Sequence, residues 1–160
     1  MSIATGSPWK RADFPYLREM TTRWADNDHY QHLNNLTHYS LFDSAINAYL
    51  IEASGTDIRD LPELGILVET GCRFLAPLSF PQQLSVGVAV TRIGERSVRY
   101  RPAIFGADDE DPSAVGHFVH AYVDRSEQSR SVPVPDVIRR VVEPLLVPLI
   151  ETGGRAQGPA

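Results

Sequence analysis

The sequence predicts an α+β domain in which an antiparallel sheet wraps around one long helix. LTHYSLFDSAINAYLIEASG, residues 36–55, sets apolar side chains at 39, 42, 46, 49, 50 and 53, the spacing of a helix with one buried face. Four stretches between residues 63 and 125 then read as extended chain with alternating side chains. Hairpin-sized turns join them, which favours antiparallel neighbours.

The elements follow in order. The first dozen residues and the last nine, TGGRAQGPA, are small and polar and read as loose ends. Tyr16 to Trp24 suits a strand that runs into the polar segment WADNDHYQHLNN. Asn34 or Asn35 is the natural N-cap of the helix and Gly55 its natural stop. In ELGILVETGCRFLAPL the alternation puts Leu64, Ile66, Val68, Thr70, Cys72 and Phe74 on one face, and Pro77 and Pro81 bracket the turn that follows. QLSVGVAVTRIG sets Leu84, Val86, Val88 and Val90 against Ser85, Gly87, Ala89 and Thr91, a half-buried strand. SVRYRPAIFG continues the pattern with Val98, Tyr100 and Ile104, and Pro102 suggests an edge or a bulge. After the acidic turn GADDEDPSA comes a last strand, VGHFVHAYVDR. Pro135 to Ile150 reads as a short helix limited by Pro144 and Pro148. One domain over 1–160 is expected, with its core from about 14 to 142.

Composition narrows the function classes. The 160 residues are 42 % hydrophobic and 22 % charged with a formal net charge of -5, values of a soluble globular domain with no general affinity for nucleic acid. No stretch reaches the length of a membrane span and the N-terminus has no apolar run of a signal peptide, so no membrane partner is expected. The single cysteine, Cys72, fits a reducing, cytoplasmic setting and reads as inert packing on an apolar strand face.

The polar segment carries the chemistry. Asp28, His32, Asn34 and Asn35 form the pattern D-x-x-x-H-x-N-N immediately before the helix. A helix N-terminus presents free N–H groups and a positive dipole end, which suit a carbonyl that becomes an oxyanion. A carboxylate beside it can attack that carbonyl or take a proton from attacking water. A nearby histidine and asparagine can orient the participants. These are the parts of acyl transfer to water without a serine or cysteine nucleophile. His29 and Tyr30 read as ordinary loop residues, and Asp26 as one that faces solvent or ties down the loop. Asp26, Asp28, His29, His32 and His38 are ligand types, but they complete no metal signature and no metal is expected. His117 and His120 fall on opposite faces of the last strand, so at most one is buried. Glu69 and Arg73 share the other face of their strand and are expected at a subunit contact or a site rim.

RWADNDHYQHLNNLTHYSLFDSAI resembles the opening strand, loop and helix of the hot-dog-fold acyl-CoA thioesterases. It is similar to the 4-hydroxybenzoyl-CoA thioesterase branch, whose loop carries D-x-D before the central helix, and H-x-N-N is similar to a segment of plant acyl-ACP thioesterases. VETGCRFLAPLSF, LSVGVAVTRIGERSVRY and GHFVHAYVDR fall where that family's later strands would, so the resemblance covers roughly residues 16 to 140. It implies that Asp28 is the catalytic carboxylate and that the N–H of Asn35 polarises the thioester carbonyl. By the same resemblance His32 and Asn34 assist the carboxylate. His29-Tyr30-Gln31 depart from the small residues and proline or glycine of the benzoyl branch, which leaves the acyl pocket unspecified. Some members use a glutamate on the helix, a role for which Asp43 and Glu52 are not placed.

Coenzyme A is a polyanion, and the resemblance places its nucleotide near Gly94 and Ser97. Arg92, Arg96 and Arg99 are the candidate phosphate contacts, with Arg101 beside them and Arg125 and Arg130 as secondary candidates. No cofactor beyond the substrate's own coenzyme is implied. The family builds its sites between subunits, which implies a homodimer or homotetramer with sheets joined edge to edge. Acyl carrier protein is an alternative carrier of the acyl group. A hot-dog hydratase or dehydratase using Asp28 and His32, or a domain that only binds acyl thioesters, are the alternative functions.

Overall fold

The computed structural model describes residues 6–150. Its elements are β1 (Tyr16–Thr21), α1 (Asn35–Ser54), β2 (Glu63–Phe74), β3 (Gln83–Ile93), β4 (Ser97–Gly106), β5 (Ala114–Asp124) and α2 (Asp136–Val142). The five strands form one antiparallel sheet in the order β1-β3-β4-β5-β2. α1 therefore carries the chain from one edge strand to the other, across the face it covers. The architecture is the expected one, with α2 as a second, short helix that gives way to a 3-10 turn at Glu143–Leu145, where Pro144 stands.

α1 starts where its cap is. The Asn34 side chain accepts the N–H of Leu36 at 2.9 Å, and at the other end Gly55 takes φ 65°, a left-handed conformation that suits glycine. The buried stripe is His38, Leu41, Phe42, Ala45, Ile46 and Leu50. It is rotated from the predicted one: Tyr39 and Tyr49 are half-buried and Ala53 is exposed. Tyr49 stays at the boundary because its hydroxyl donates to the Val141 carbonyl at 2.6 Å, a polar tip kept at the seam with α2. Phe42 is fully buried and meets Phe118 edge-on at 6.0 Å between centroids. It sits directly on the backbone of β5, since a Cβ at Gly116 would lie 2.7 Å from its ring.

Three strand expectations change, and one for the N-terminal segment. β2 does not keep one alternation along its length, because an extra residue, Val68, bulges between Leu67↔His120 and Glu69↔Val119. Thr70, Cys72 and Phe74 therefore share a face with Leu67, while Ile66 and Leu64 join Glu69 and Arg73 on the opposite one. β3 is buried on both faces from Leu84 to Val90, not on one. Its outer face is covered by the N-terminal segment: Trp9 and Phe14 pack with Ala89, Ala103, Phe105 and Val115, so residues 7–14 are not a loose end. Pro102 lies in central β4, opposite Val88 without a bulge; instead the ladder to β5 is interrupted there, between Tyr100↔Phe118 and Ala103↔Val115. The expected loose C-terminal end lies outside the described residues.

β2 forms an edge with Ile66, Leu67 and Val68 exposed at 37, 47 and 56 %. The opposite edge, β1, is half as long, with Tyr16 and Met20 turned into the core. No helix of the described residues is long and apolar enough to cross a membrane.

Candidate active site

The polar segment is a stitched loop. Asp26 ends a 3-10 turn and is 4 % exposed; its carboxylate accepts the Arg23 N–H and guanidinium, both at 2.7 Å. The Arg23 contact holds its carboxyl below the usual carboxylate range. Its carbonyl accepts the Asn34 N–H at 2.8 Å, so Asp26 ties down the loop. Asn27 accepts the Phe80 N–H at 3.0 Å, and the Leu33 N–H donates to Leu78 at 2.6 Å. The segment is thus fixed to the turn that leads into β3.

Asp28 heads a tighter turn. Its N–H donates to the His32 carbonyl at 2.7 Å, while its Oδ1 accepts the N–H groups of Tyr30 (2.8 Å) and His32 (3.2 Å). Gln31 closes the turn at φ 64°. One carboxylate oxygen therefore shapes the loop, and Oδ2 accepts no hydrogen bond among the described residues. Asp28 lies half-buried on an open groove of about 660 Å³ with Trp24, Asn27, His29, Gln31, Ser79 and Phe80. Trp24, 79 % exposed and edge-on to Phe80 at 6.1 Å, gives the groove an apolar wall that the sequence reading passed over. An exposed tryptophan inside the motif was the available signal.

His32, Asn34 and Asn35 do not line this groove; His32 closes the Asp28 turn, and Asn34 and Asn35 are the cap and first residue of α1. His32 is exposed, and Asn34 has its Oδ1 engaged as the helix cap. The cap takes the N–H of Leu36, which leaves that of Asn35, the first helical residue, without an intrahelical acceptor. Beneath this end His38 is buried, its Nδ1 3.1 Å from the Asn34 carbonyl and its ring edge-on to Phe74 at 4.9 Å.

Burial lowers the pKa of His38, and likewise that of His120, buried on the helix side of β5; His117, on the outer face, is half-buried. Both buried imidazoles are held neutral, so below the unfolded-state value of about 6.5 the unfolded chain binds protons that the folded one refuses. Stability is full above that pH and declines as pH falls through it. A urea midpoint lower at pH 5.5 than at pH 7.5, with a smaller difference in His120→Gln, is the expected outcome; an unchanged midpoint would contradict it.

The arginines lie elsewhere. The β3–β4 hairpin closes with the Gly94 N–H on the Ser97 carbonyl at 2.8 Å, and Arg92 and Arg99 are cross-strand partners. Arg96 donates to the Ser131 carbonyl at 2.9 Å, and Arg99 lies 3.7 Å from Glu69, which also meets His117 at 3.2 Å. Arg125 is taken up by the Leu61 carbonyl at 2.6 Å and Arg130 by Asp124. The Asp28 loop follows the β1 end where Thr21 pairs with Gln83, the first residue of β3, whereas the hairpin begins at Ile93, its last. The two features are therefore separated by a full strand, about 34 Å. Cys72 is half-buried and its thiol is pushed up to about 12, unreactive at neutral pH. Among the described residues no three His, Cys, Asp or Glu side chains converge as a metal site would require.

A family model of the thioesterase-like superfamily matches residues 22–142. The chain belongs to the thioesterase-like superfamily. The matched span runs from Thr22, just before the Arg23–Asp26 turn, to Val142, the last residue of α2. The PA5185 protein of Pseudomonas aeruginosa shares 38 % identity over 86 % of this chain and 96 % of its own, with a TM-score of 0.82. Two other solved structures share the fold at lower identity. Slr0204 of Synechocystis, a 1,4-dihydroxy-2-naphthoyl-CoA thioesterase, is 15 % identical over 79 % of this chain and 94 % of its own, with a TM-score of 0.73. A Thermus thermophilus thioesterase complexed with coenzyme A and zinc is 22 % identical over 83 and 95 %, with a TM-score of 0.70. No curated protein matches the chain. As a member of the thioesterase-like superfamily the protein is a thioester hydrolase.

Proposed function

We propose that the protein hydrolyses an acyl-CoA thioester with Asp28 as the catalytic carboxylate. The observation that carries this reading is the Asp28 carboxylate on an open groove, its Oδ2 accepting no hydrogen bond among the described residues, in the loop that leads directly into the α1 N-terminus, where the Asn35 N–H has no intrahelical acceptor. The thioester carbonyl oxygen takes that N–H, whose hydrogen bond strengthens as the oxyanion develops. Water attacks the carbonyl carbon as Asp28 accepts its proton, or Asp28 attacks directly and water then cleaves the anhydride; in both routes the C–S bond breaks and the coenzyme leaves as a thiol. His32, at the mouth of the turn, orients the participants, and Asn34 acts by capping the helix that presents the carbonyl site. Trp24 and Phe80 offer the acyl group an apolar wall.

We infer further that the site is shared between two subunits. The hairpin of Arg92, Gly94, Arg96, Ser97 and Arg99 lies too far from Asp28 in one chain to hold the phosphates of the same coenzyme A molecule. Joining two β2 edges brings a second copy's sheet alongside the α1 N-terminus and covers Ile66, Leu67 and Val68. The Thermus thermophilus structure with coenzyme A supports the choice of carrier. Thiol release from a panel of short, medium, long and aromatic acyl-CoA substrates tests the reading. Absence of release from every acyl-CoA and from acyl carrier protein thioesters would end it.

A further inference from the structure

On the sheet face turned away from α1, residues 7–9 of the N-terminal segment and residues 149–150 border an open cavity of about 620 Å³. Trp9, Val115 and Leu149 give it apolar walls, and Arg73, Arg101 and His117 give it polar ones. It shares no residue with the Asp28 groove. Its volume falls in the range of small-molecule sites, which are mostly apolar with a few fixed polar groups.

The guanidinium of Arg101 is the unexplained feature. It stands on β4 between core Tyr100 and Pro102, and so projects to the outer face. Its Nε is buried without a hydrogen-bond partner, its Nη1 has only a long contact of 3.4 Å to the Gly116 carbonyl, and its charge lies 5.7 Å from the Trp9 ring centroid. No carboxylate among the described residues lies within ion-pair distance of Arg101 or of Arg73. Burial and the neighbouring Arg99 both disfavour its charge, yet an arginine stays protonated. A half-buried cation with an unsatisfied donor is a costly arrangement unless an anion completes it. A carboxylate fits the guanidinium fork with two parallel hydrogen bonds. A polyanion fits less well, because Glu69 holds negative charge against His117 on the same face.

We propose that this cavity is a second small-molecule site, which takes a carboxylic acid with an apolar body: the carboxylate on Arg101 and Arg73, the body against Trp9, Val115 and Leu149. The site stands independently of the chemistry assigned to Asp28.

Octanoate and octanol are the probes, with the same chain and different heads. In Trp24→Phe, Trp9 is the sole tryptophan, and its fluorescence reports occupancy; calorimetry on the otherwise unaltered protein checks it. Octanoate should saturate the signal and bind about tenfold or more tighter than octanol, as expected for a charge-assisted contact. Arg101→Gln should weaken octanoate by a similar factor and leave octanol unchanged. Arg73→Gln, at an exposed position where folding is not at stake, should act in the same direction, and Asp28→Asn should bind octanoate as wild type does. Equal binding of the two probes, octanoate affinity unchanged in both arginine variants, or loss of binding in Asp28→Asn would each overturn the proposal.

Discussion

Asp28→Asn should release thiol from acyl-CoA about 10²- to 10⁴-fold more slowly than wild type, the range for a lost acid–base group. The substitution is informative because asparagine keeps an oxygen where Oδ1 accepts the Tyr30 and His32 N–H groups. The turn and the left-handed Gln31 can therefore persist while the charge at Oδ2 is removed. The melting temperature should stay close to that of wild type, so the loss reads chemistry and not loop collapse. A decrease of less than about tenfold would remove Asp28 from the catalytic role. Substitutions at Asn34 are less clean, since loss of its cap destabilises α1 by about 1 kcal/mol whatever its part in turnover.

If the site is shared across the β2 edge as proposed, Ile66→Lys combined with Val68→Lys should separate the subunits and lower turnover by about 10²-fold or more, as if a catalytic group were missing. Both side chains are already solvent-exposed, so the lysines leave the core of one chain untouched. On a strand edge such charges block pairing with a second sheet. Sedimentation velocity should show a monomer with an unaltered far-ultraviolet spectrum. A monomer that turns over normally would show that one chain suffices and that the hairpin arginines have another use.

Much of this was legible in residues with strong local signatures. Asn34 and Gly55 marked both ends of α1, and the alternation in QLSVGVAVTRIG and SVRYRPAIFG marked β3 and β4. What escaped was set by contacts distant in sequence. The Val68 bulge has no glycine or proline to announce it, so the alternation in β2 read as continuous. β3 looked half-buried because nothing in its own residues shows that Trp9 and Phe14 lie over Ala89. Asp28 and Asn35 were legible as candidates because chemistry and helix capping constrain neighbouring residues. The separation of the Asp28 loop from the β3–β4 hairpin was not, because strand order and the length of β3 set it.

The crossover of α1 from one sheet edge to the other also bears on how the molecule acquires its site. β4 and β5 meet through a short turn, with Ile104 opposite Ala114. β1 instead reaches β3 across about sixty to seventy residues of chain, and the Asp28 loop is anchored on the far side of that closure, at Leu78 and Phe80. Loop-closure entropy favours local pairings first. The central meander should therefore gain protection before the amides of Leu33 and Asn34 in pulsed hydrogen exchange during refolding, and simultaneous protection would contradict that order. A chain still joining the meander would already have most of its sheet but not the anchored Asp28 loop, so under the proposed assignment hydrolysis becomes a late marker of completed folding.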